Sequence, residues 1–141
     1  VTVSQSGLDL NAFILGILVD KKNLSTYLPF DKAIEASIDW GDGTIEEHVT
    51  SPYPQHTYTD AGYYIVSVKG SVPSINSYSI PTYGLGKQFI EVYSWGRTGI
   101  RSMQRAFQNC SELKRIPSDN TRAFAEVTDF SYAFSGCGKL E

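Results

Sequence analysis

Residues 34–44 read IEASIDWGDGT. Apolar and polar side chains alternate from Ile34 to Trp40, which is the period of a strand that buries one of its faces. Gly41 and Gly43 follow at once, and glycine is the residue that a tight turn with positive φ favours. Residues 45–49 then supply the return strand. The stretch therefore predicts a β-hairpin.

Two other stretches of the N-terminal half have strand character. Residues 12–19 are apolar and β-rich, and residues 63–68 alternate after a turn at residues 59–62. No helical period separates these segments. Short strands at intervals of roughly 8–12 residues are typical of a β-sandwich, so we expect this half to form one.

Three segments of this half, taken in order, resemble the PKD family. They are IDWGDGT at residues 38–44, HTY at residues 56–58 and GYYIVSV at residues 62–68. The resemblance implies an immunoglobulin-like sandwich over residues 1–72, in which the motif residues have structural roles. These motif residues are Trp40, Gly41, Asp42, Gly43, His56 and Tyr58. PKD domains are implied to be extracellular spacer or binding modules, usually without catalysis.

The C-terminal half has a different period. Its apolar positions follow a 3, 4, 3 spacing, which predicts one face of a short helix, and the same pattern then occurs a second time. The two sets are Ile100, Met103, Phe107 and Cys110, then Val127, Phe130, Phe134 and Cys137. Short strand candidates at residues 89–92 and 113–116 precede the helices. Strand-plus-helix units of roughly 20–29 residues are the signature of a leucine-rich-repeat solenoid.

The segments at residues 94–113 and 127–140 resemble BspA-like leucine-rich repeats of bacterial surface proteins. Together with a PKD-like domain they resemble surface lipoproteins of the Bacteroidetes. The resemblance implies an extracellular place on the bacterial cell surface and a lipid anchor upstream of this chain. The predicted fold is mainly β with short helices: the sandwich, a connecting segment at residues 73–88, and about two rungs of a partial leucine-rich-repeat solenoid at residues 89–141.

Composition excludes several classes of protein. The chain has 141 residues, of which 41% are hydrophobic, enough for a packed core and too many for a wholly disordered chain. The chain contains twelve Lys and Arg residues and fifteen Asp and Glu residues, so it has no excess of positive charge with which to bind the phosphate backbone of nucleic acid. The longest apolar run, residues 12–19, has eight residues, whereas a membrane helix needs about 20. We therefore expect neither nucleic-acid binding nor a membrane span.

Few side chains are candidates for catalysis or metal binding. Asp39 and Asp42 are a possible acid–base pair or calcium ligand set. The interpretation we favour is that Asp42 caps the glycine turn while Asp39 points outward. The histidines are His48 and His56, and no nucleophile–base frame surrounds them. We expect His56 to fix the turn before Tyr58 by a hydrogen bond, and we predict no enzymatic activity, metal or cofactor.

The cysteines and tryptophans each allow two interpretations. Cys110 and Cys137 are equivalent in the repeat, so they are expected about 5 Å apart. At that distance they can form a disulfide in an oxidising compartment. The interpretation we favour is that both remain small, buried thiols. Trp40 and Trp95 are carbohydrate platforms or, as we favour, parts of the sandwich core and of a rung corner.

The sequence predicts a non-catalytic adhesion or interaction module that binds an extracellular protein or glycan. A solenoid binds through its continuous face because stacked units leave one broad, regular surface. The candidate contacts are Tyr93, Trp95, Lys114 and Arg115. The alternatives are an accessory domain of a secreted carbohydrate- or peptide-degrading enzyme, and a structural stalk.

Overall fold

The computed structural model describes residues 9–81, 85–118 and 122–140. Seven strands lie within these ranges: β1 (Phe13–Val19), β2 (Leu24–Tyr27), β3 (Glu35–Asp39), β4 (Ile45–Val49), β5 (Gln55–Tyr58), β6 (Gly62–Ser71) and β7 (Phe89–Ser94). A short 3-10 helix, Leu85–Gln88, precedes β7. No helix in the described ranges is long and apolar enough to cross a membrane.

The strands form two antiparallel sheets. The larger has five strands in the order β4-β3-β6-β1-β7, and the smaller pairs β2 with β5. Within the larger sheet Leu15 of β1 lies opposite Val66 of β6 and, on its other side, opposite Val92 of β7. The fold is therefore mainly β, as predicted. Its two sheets are antiparallel and have a sandwich-like arrangement.

The predicted hairpin is confirmed. Strands β3 and β4 pair with Asp39 opposite Ile45, and Trp40 N donates to Thr44 O at 3.0 Å. Gly41 and Gly43 have φ values of 83° and 95°, which side chains other than glycine rarely adopt. The alternation of the sequence also holds, because Ile38 and Trp40 are buried while Asp39 between them is exposed.

One hydrophobic core joins the two halves of the chain. The inward side chains of β1 pack with those of β6 and with residues beyond β7. The ring of Phe13 lies 5.7 Å from that of Phe30 and 6.3 Å from that of Trp95, measured between centroids. Trp95 in turn lies 6.1 Å from Phe107. The C-terminal residues therefore bury their apolar surface against the five-stranded sheet.

The prediction of short helices in the C-terminal half is wrong. Residues 104–109 and 131–136 form consecutive turns, here named the inner turn and the outer turn. Arg105 and Asn109 have φ values of 57° and 62°, and a left-handed residue interrupts a right-handed helix. Tyr132 and Gly136, their equivalents in the sequence repeat, have φ values of 58° and 81°. The repeat of the sequence is therefore also a repeat of backbone conformation.

The two turns lie against each other through backbone hydrogen bonds. N–H groups on alternate residues from Met103 to Asn109 donate to carbonyl oxygens of the outer turn and of the residues just before it. The bonds are Met103 N to Asp129 O at 3.0 Å, Arg105 N to Ser131 O at 2.8 Å, Phe107 N to Ala133 O at 2.7 Å and Asn109 N to Ser135 O at 2.7 Å. On the other side, Ile75 N donates to Ser102 O at 3.1 Å and Ser77 N to Ala106 O at 3.0 Å. Three chain segments are thus stacked in layers.

Candidate functional site

The motif residues of the hairpin turn and of β5 form one cluster. His56 Nε2 donates to Asp42 Oδ2 at 2.7 Å, and the imidazole stacks on the Trp40 ring at 4.9 Å with an interplanar angle of 17°. The buried hydroxyl of Tyr58 donates to Trp40 O at 2.7 Å. The structure therefore places Trp40, Asp42, His56 and Tyr58 in contact around the hairpin turn. His56 makes a side-chain hydrogen bond, but to Asp42 of this turn and not within the turn before Tyr58, where we expected it.

The acidic residues of this cluster serve the turn itself. Asp42 Oδ1 accepts a hydrogen bond from Thr44 N and Asp39 Oδ1 accepts one from Gly41 N, both at 3.0 Å. The predicted capping role of Asp42 is confirmed. Among the residues that the structure describes, no group of three or more His, Cys, Asp or Glu side chains is placed to hold a metal ion. The cluster is built to hold the hairpin in shape.

The charge of Asp42 contributes to this role. Partial burial acts to raise the pKa of Asp42, but the hydrogen bonds from His56 and Thr44 outweigh it, and the pKa lies below its ordinary value of 3.8. A carboxyl group whose pKa is lowered by folding stabilises the fold above its unfolded pKa, and this stabilisation is lost as the pH falls through the folded pKa. The carboxylate of Asp42 therefore supports folding at neutral pH.

We expect Asp42→Asn to lower the free energy of unfolding by about 1 kcal/mol at pH 7, the typical net value of a hydrogen bond. The amide keeps an oxygen for Thr44 N but loses the charge that faces His56. The difference should shrink as the pH falls below 3.8 and the wild-type carboxyl group becomes protonated. Urea unfolding at neutral pH and in acid measures this change. A difference of equal size under both conditions would contradict the role of the charge.

The four predicted contact residues are not all at the surface. Tyr93 and Trp95 are only 6% and 3% exposed. The hydroxyl of Tyr93 is hydrogen-bonded to that of Tyr63 at 2.7 Å, and Trp95 Nε1 donates to Pro117 O at 3.0 Å. Lys114 and Arg115 are exposed. A ligand on this side of the protein therefore meets Lys114 and Arg115, and it does not reach the two aromatic side chains.

Burial gives Tyr93 and Trp95 structural roles. Tyr93 lies on the outer side of the sheet in a small cluster with Ala12 and Ile14, and Trp95 belongs to the main core. The core interpretation of Trp40 is confirmed, and Trp95, which we expected at a rung corner, is also buried in the main core. Arg115 Nη1 lies 3.9 Å from Glu91 Oε1 on the neighbouring strand, so its charge is partly used within the protein.

The cysteines are free thiols. Cys110 is buried and its Sγ donates to Ser77 Oγ at 3.4 Å, while Cys137 is half-buried and its Sγ donates to Phe107 O at 3.0 Å. Burial raises the pKa of Cys110 to about 12 and also raises the pKa of Cys137. Because the thiolate is the reactive form, neither cysteine is activated as a nucleophile. The prediction of two buried thiols therefore holds for Cys110, whereas Cys137 is only half-buried.

An exposed cluster that the sequence did not single out lies on the stacked layers. Tyr78 is 54% and Tyr132 60% exposed. The guanidinium carbon of Arg105 lies 4.6 Å from the ring centroid of Tyr78 and 5.7 Å from that of Tyr132, within the range of cation–π contacts. We name these three residues the Tyr–Arg–Tyr face. Their positions in the sequence are equally spaced at the interval of the repeat, and this spacing is the signal that could have revealed them.

The backbone fixes the position of this face. Ser77 N donates to Arg105 O at 3.1 Å and Arg105 N donates to Ser131 O at 2.8 Å, so the residues next to both tyrosines are tied to Arg105. Arg105 Nε is buried and has no hydrogen-bond partner within the described ranges. Of the salt bridges between described residues, none involves Arg105. The guanidinium thus lies against two tyrosine rings and forms no salt bridge with any described residue.

Charge is distributed unevenly along the chain. Residues 97–141 contain seven of the twelve Lys and Arg residues but five of the fifteen Asp and Glu residues. The half that carries Arg105 is therefore basic although the whole chain is acidic.

Comparison of the chain with known protein families, with curated proteins and with solved structures finds no match.

Proposed function

We propose that this chain is a non-catalytic interaction module of the bacterial cell surface that binds an extracellular protein or glycan through the Tyr–Arg–Tyr face. The observation that carries the proposal is the guanidinium of Arg105, which lies against two exposed tyrosine rings and has no salt-bridge partner among the described residues. Tyr and Arg are enriched among the residues that dominate binding energy. A guanidinium already held in place loses less conformational entropy on binding than a free side chain does.

The proposed architecture is a PKD-like sandwich followed by a partial BspA-like leucine-rich-repeat solenoid. The contact of His56 with Asp42 and Trp40 supports the first part, because it gives the motif residues a common structural purpose. The recurrence of backbone conformation in the inner and outer turns, and the hydrogen bonds between them, support the second part. In this proposal the sandwich carries the repeats, and the repeats present the binding face outside the cell.

The chemistry of the face favours a ligand that bears carboxylate groups. A guanidinium and a carboxylate form two parallel hydrogen bonds, a geometry that an ammonium group does not reproduce. The flanking rings of Tyr78 and Tyr132 offer apolar surface to a sugar ring or to an apolar side chain beside that carboxylate. Uronic-acid glycans and acidic peptides both combine these features.

Binding to three polymers tests the proposal. We expect the protein to bind either polygalacturonate or poly-glutamate, and not neutral dextran, when titrated by calorimetry. Arg105→Gln should weaken binding at least about tenfold, since this corresponds to about 1.4 kcal/mol and a charge-assisted bond contributes about 1.5–3 kcal/mol. Binding of polygalacturonate identifies a glycan partner, and binding of poly-glutamate identifies a protein partner.

Lys139→Gln is the matched control for this titration. Lys139 is an exposed cation of the same half, paired with Glu112 at 2.6 Å and not part of the Tyr–Arg–Tyr face. The control removes the same net charge as Arg105→Gln, so both variants lose equal long-range attraction. Equal losses in the two variants would contradict a specific role for the face. Failure to discriminate among the three polymers would favour a structural stalk.

A further inference from the structure

The edge of the outer turn has unused hydrogen-bond donors. In the inner turn, the N–H groups of alternate residues donate to the outer turn, and the sequence repeat gives each of these residues an equivalent in the outer turn. Within the described ranges, none of these equivalents has a hydrogen-bond acceptor. They are the N–H groups of Phe130, Tyr132, Phe134 and Gly136. The outer edge therefore offers donors with the spacing that already joins one layer to the next.

The same edge leaves apolar side chains uncovered. Met103 and Phe107 of the inner layer are 0% exposed, whereas their equivalents differ: Phe130 is 47% exposed and Phe134 is half-buried. Ala106 and Ala133 are both buried, but three more equivalent pairs follow the same rule, with the inner member fully buried and the outer member half-buried. These pairs are Ile100 with Val127, Cys110 with Cys137 and Leu113 with Leu140. Donors and apolar side chains thus coincide on one surface.

The direction of the peptide groups limits what can cover this surface. The carbonyl oxygens of the outer turn point to the inner turn, so its outer edge is an edge of donors. Two copies of the chain that met through this edge would place donors against donors. The matching carbonyl edge of a second copy is not available either, because Ser102 O and Ala106 O already accept from its own Ile75 and Ser77.

We infer that the outer edge is a docking surface for one further polypeptide unit with the turn conformation of residues 131–136 and the apolar pattern of residues 127–140. Such a unit presents carbonyl oxygens on alternate residues, which accept from the four free N–H groups, and it covers Phe130 as the outer layer covers Met103. The inference extends an interface that already exists within the protein. It does not depend on the Tyr–Arg–Tyr face or on the ligand proposed for it.

The test is a chain to which a second copy of residues 114–140 is appended after Glu141. Amide hydrogen exchange, followed by NMR, measures the protection of Phe130, Tyr132, Phe134 and Gly136. We expect exchange at these four amides to slow at least about tenfold, because newly formed hydrogen bonds must open before exchange occurs. The same extension carrying Phe130→Asp and Phe134→Asp in the appended copy alone is the control, and it should leave the four amides unprotected.

A second experiment adds a synthetic peptide of residues 114–140 to the unmodified chain. Hydrogen exchange at the same four amides is then measured without any change to the protein. Slower exchange at these amides in either experiment supports the docking surface. Unchanged exchange in both experiments overturns it. Protection that grows with the concentration of the unmodified chain alone identifies a second copy as the occupant, and protection by inorganic phosphate alone identifies an anion site. Each of these two results also overturns the inference.

Discussion

Phe107→Ala should lower the free energy of unfolding by about 3–5 kcal/mol, the usual cost of truncating a buried phenylalanine. The Phe107 side chain is 0% exposed. Its ring centroid lies 6.3 Å from that of Phe89, 6.1 Å from that of Trp95 and 6.0 Å from that of Phe134. The ring therefore touches β7, the residue that follows β7 and the next layer, and its removal leaves a cavity among all three.

Urea unfolding measures this effect, with Gln104→Ala as the matched control. Gln104 is exposed in the same turn, and the hydrogen bond it makes to Ser102 Oγ comes from its backbone N–H, which the substitution keeps. We expect the control to change stability by less than about 0.5 kcal/mol. Because the core is continuous, the whole protein should lose stability in one transition. Equal effects of the two substitutions would contradict the packing of the C-terminal half against the sheet.

The second large effect concerns the hairpin turn. Gly41→Ala and Gly43→Ala both place a side chain at positive φ, which costs about 1–2 kcal/mol. At Gly41 the added Cβ also lies 2.5 Å from Ile65 O, whereas nothing lies within 4 Å of a Cβ at Gly43. A backbone carbonyl cannot rotate away as a side chain can. We therefore expect Gly41→Ala to cost about 1–3 kcal/mol more than Gly43→Ala, as overpacking does.

Thermal or urea unfolding of the two glycine variants, each compared with the wild type, measures this difference. The pair isolates the steric contribution because both variants remove a glycine from the same turn. It tests whether the hairpin packs against β6 through close backbone approach at Ile65. Identical stabilities of the two variants would show that the close approach at Gly41 is absent.

The hairpin could be predicted from sequence because its signals are local. Alternation up to Trp40, followed by glycines at positions 41 and 43, specifies strand, turn and return strand within a short stretch. The capping by Asp42 is also local, since an aspartate accepts from the backbone of a residue just after it. His56 lies farther away in the sequence, and its hydrogen bond to Asp42 is a long-range contact that the local signals do not predict.

The C-terminal turns could not be distinguished from helices by their apolar spacing. A 3, 4, 3 pattern fits one face of a helix, but the same residues also point inward from a stack of turns. The deciding feature is the left-handed conformation of Arg105 and Tyr132, and neither residue type favours it. Hydrogen bonds between one layer and the next, such as that from Arg105 N to Ser131 O, impose that conformation. Such long-range bonds leave no local signal.

Long-range pairing also explains why the predicted contact residues differ from the exposed residues that the structure shows. Tyr93 and Trp95 were predicted contacts because they are large aromatics near a rung strand. They are buried because β7 joins the edge of β1 and the rest of the chain covers it. Tyr78 was missed because it lies in the segment that we interpreted as a connection. Tyr78 belongs to the stacked layers because the neighbouring Ser77 is hydrogen-bonded to the inner turn, and this bond is visible only in the structure.

The most direct test of the proposed function compares Arg105→Lys with the wild type in the polymer titration. Lysine keeps the positive charge but lacks the planar fork that stacks between two rings and binds a carboxylate through two hydrogen bonds. We predict that the variant keeps the stability of the wild type and binds the carboxylated polymer at least about tenfold more weakly. Equal affinities of the two proteins would contradict the assignment of the Tyr–Arg–Tyr face as the binding site.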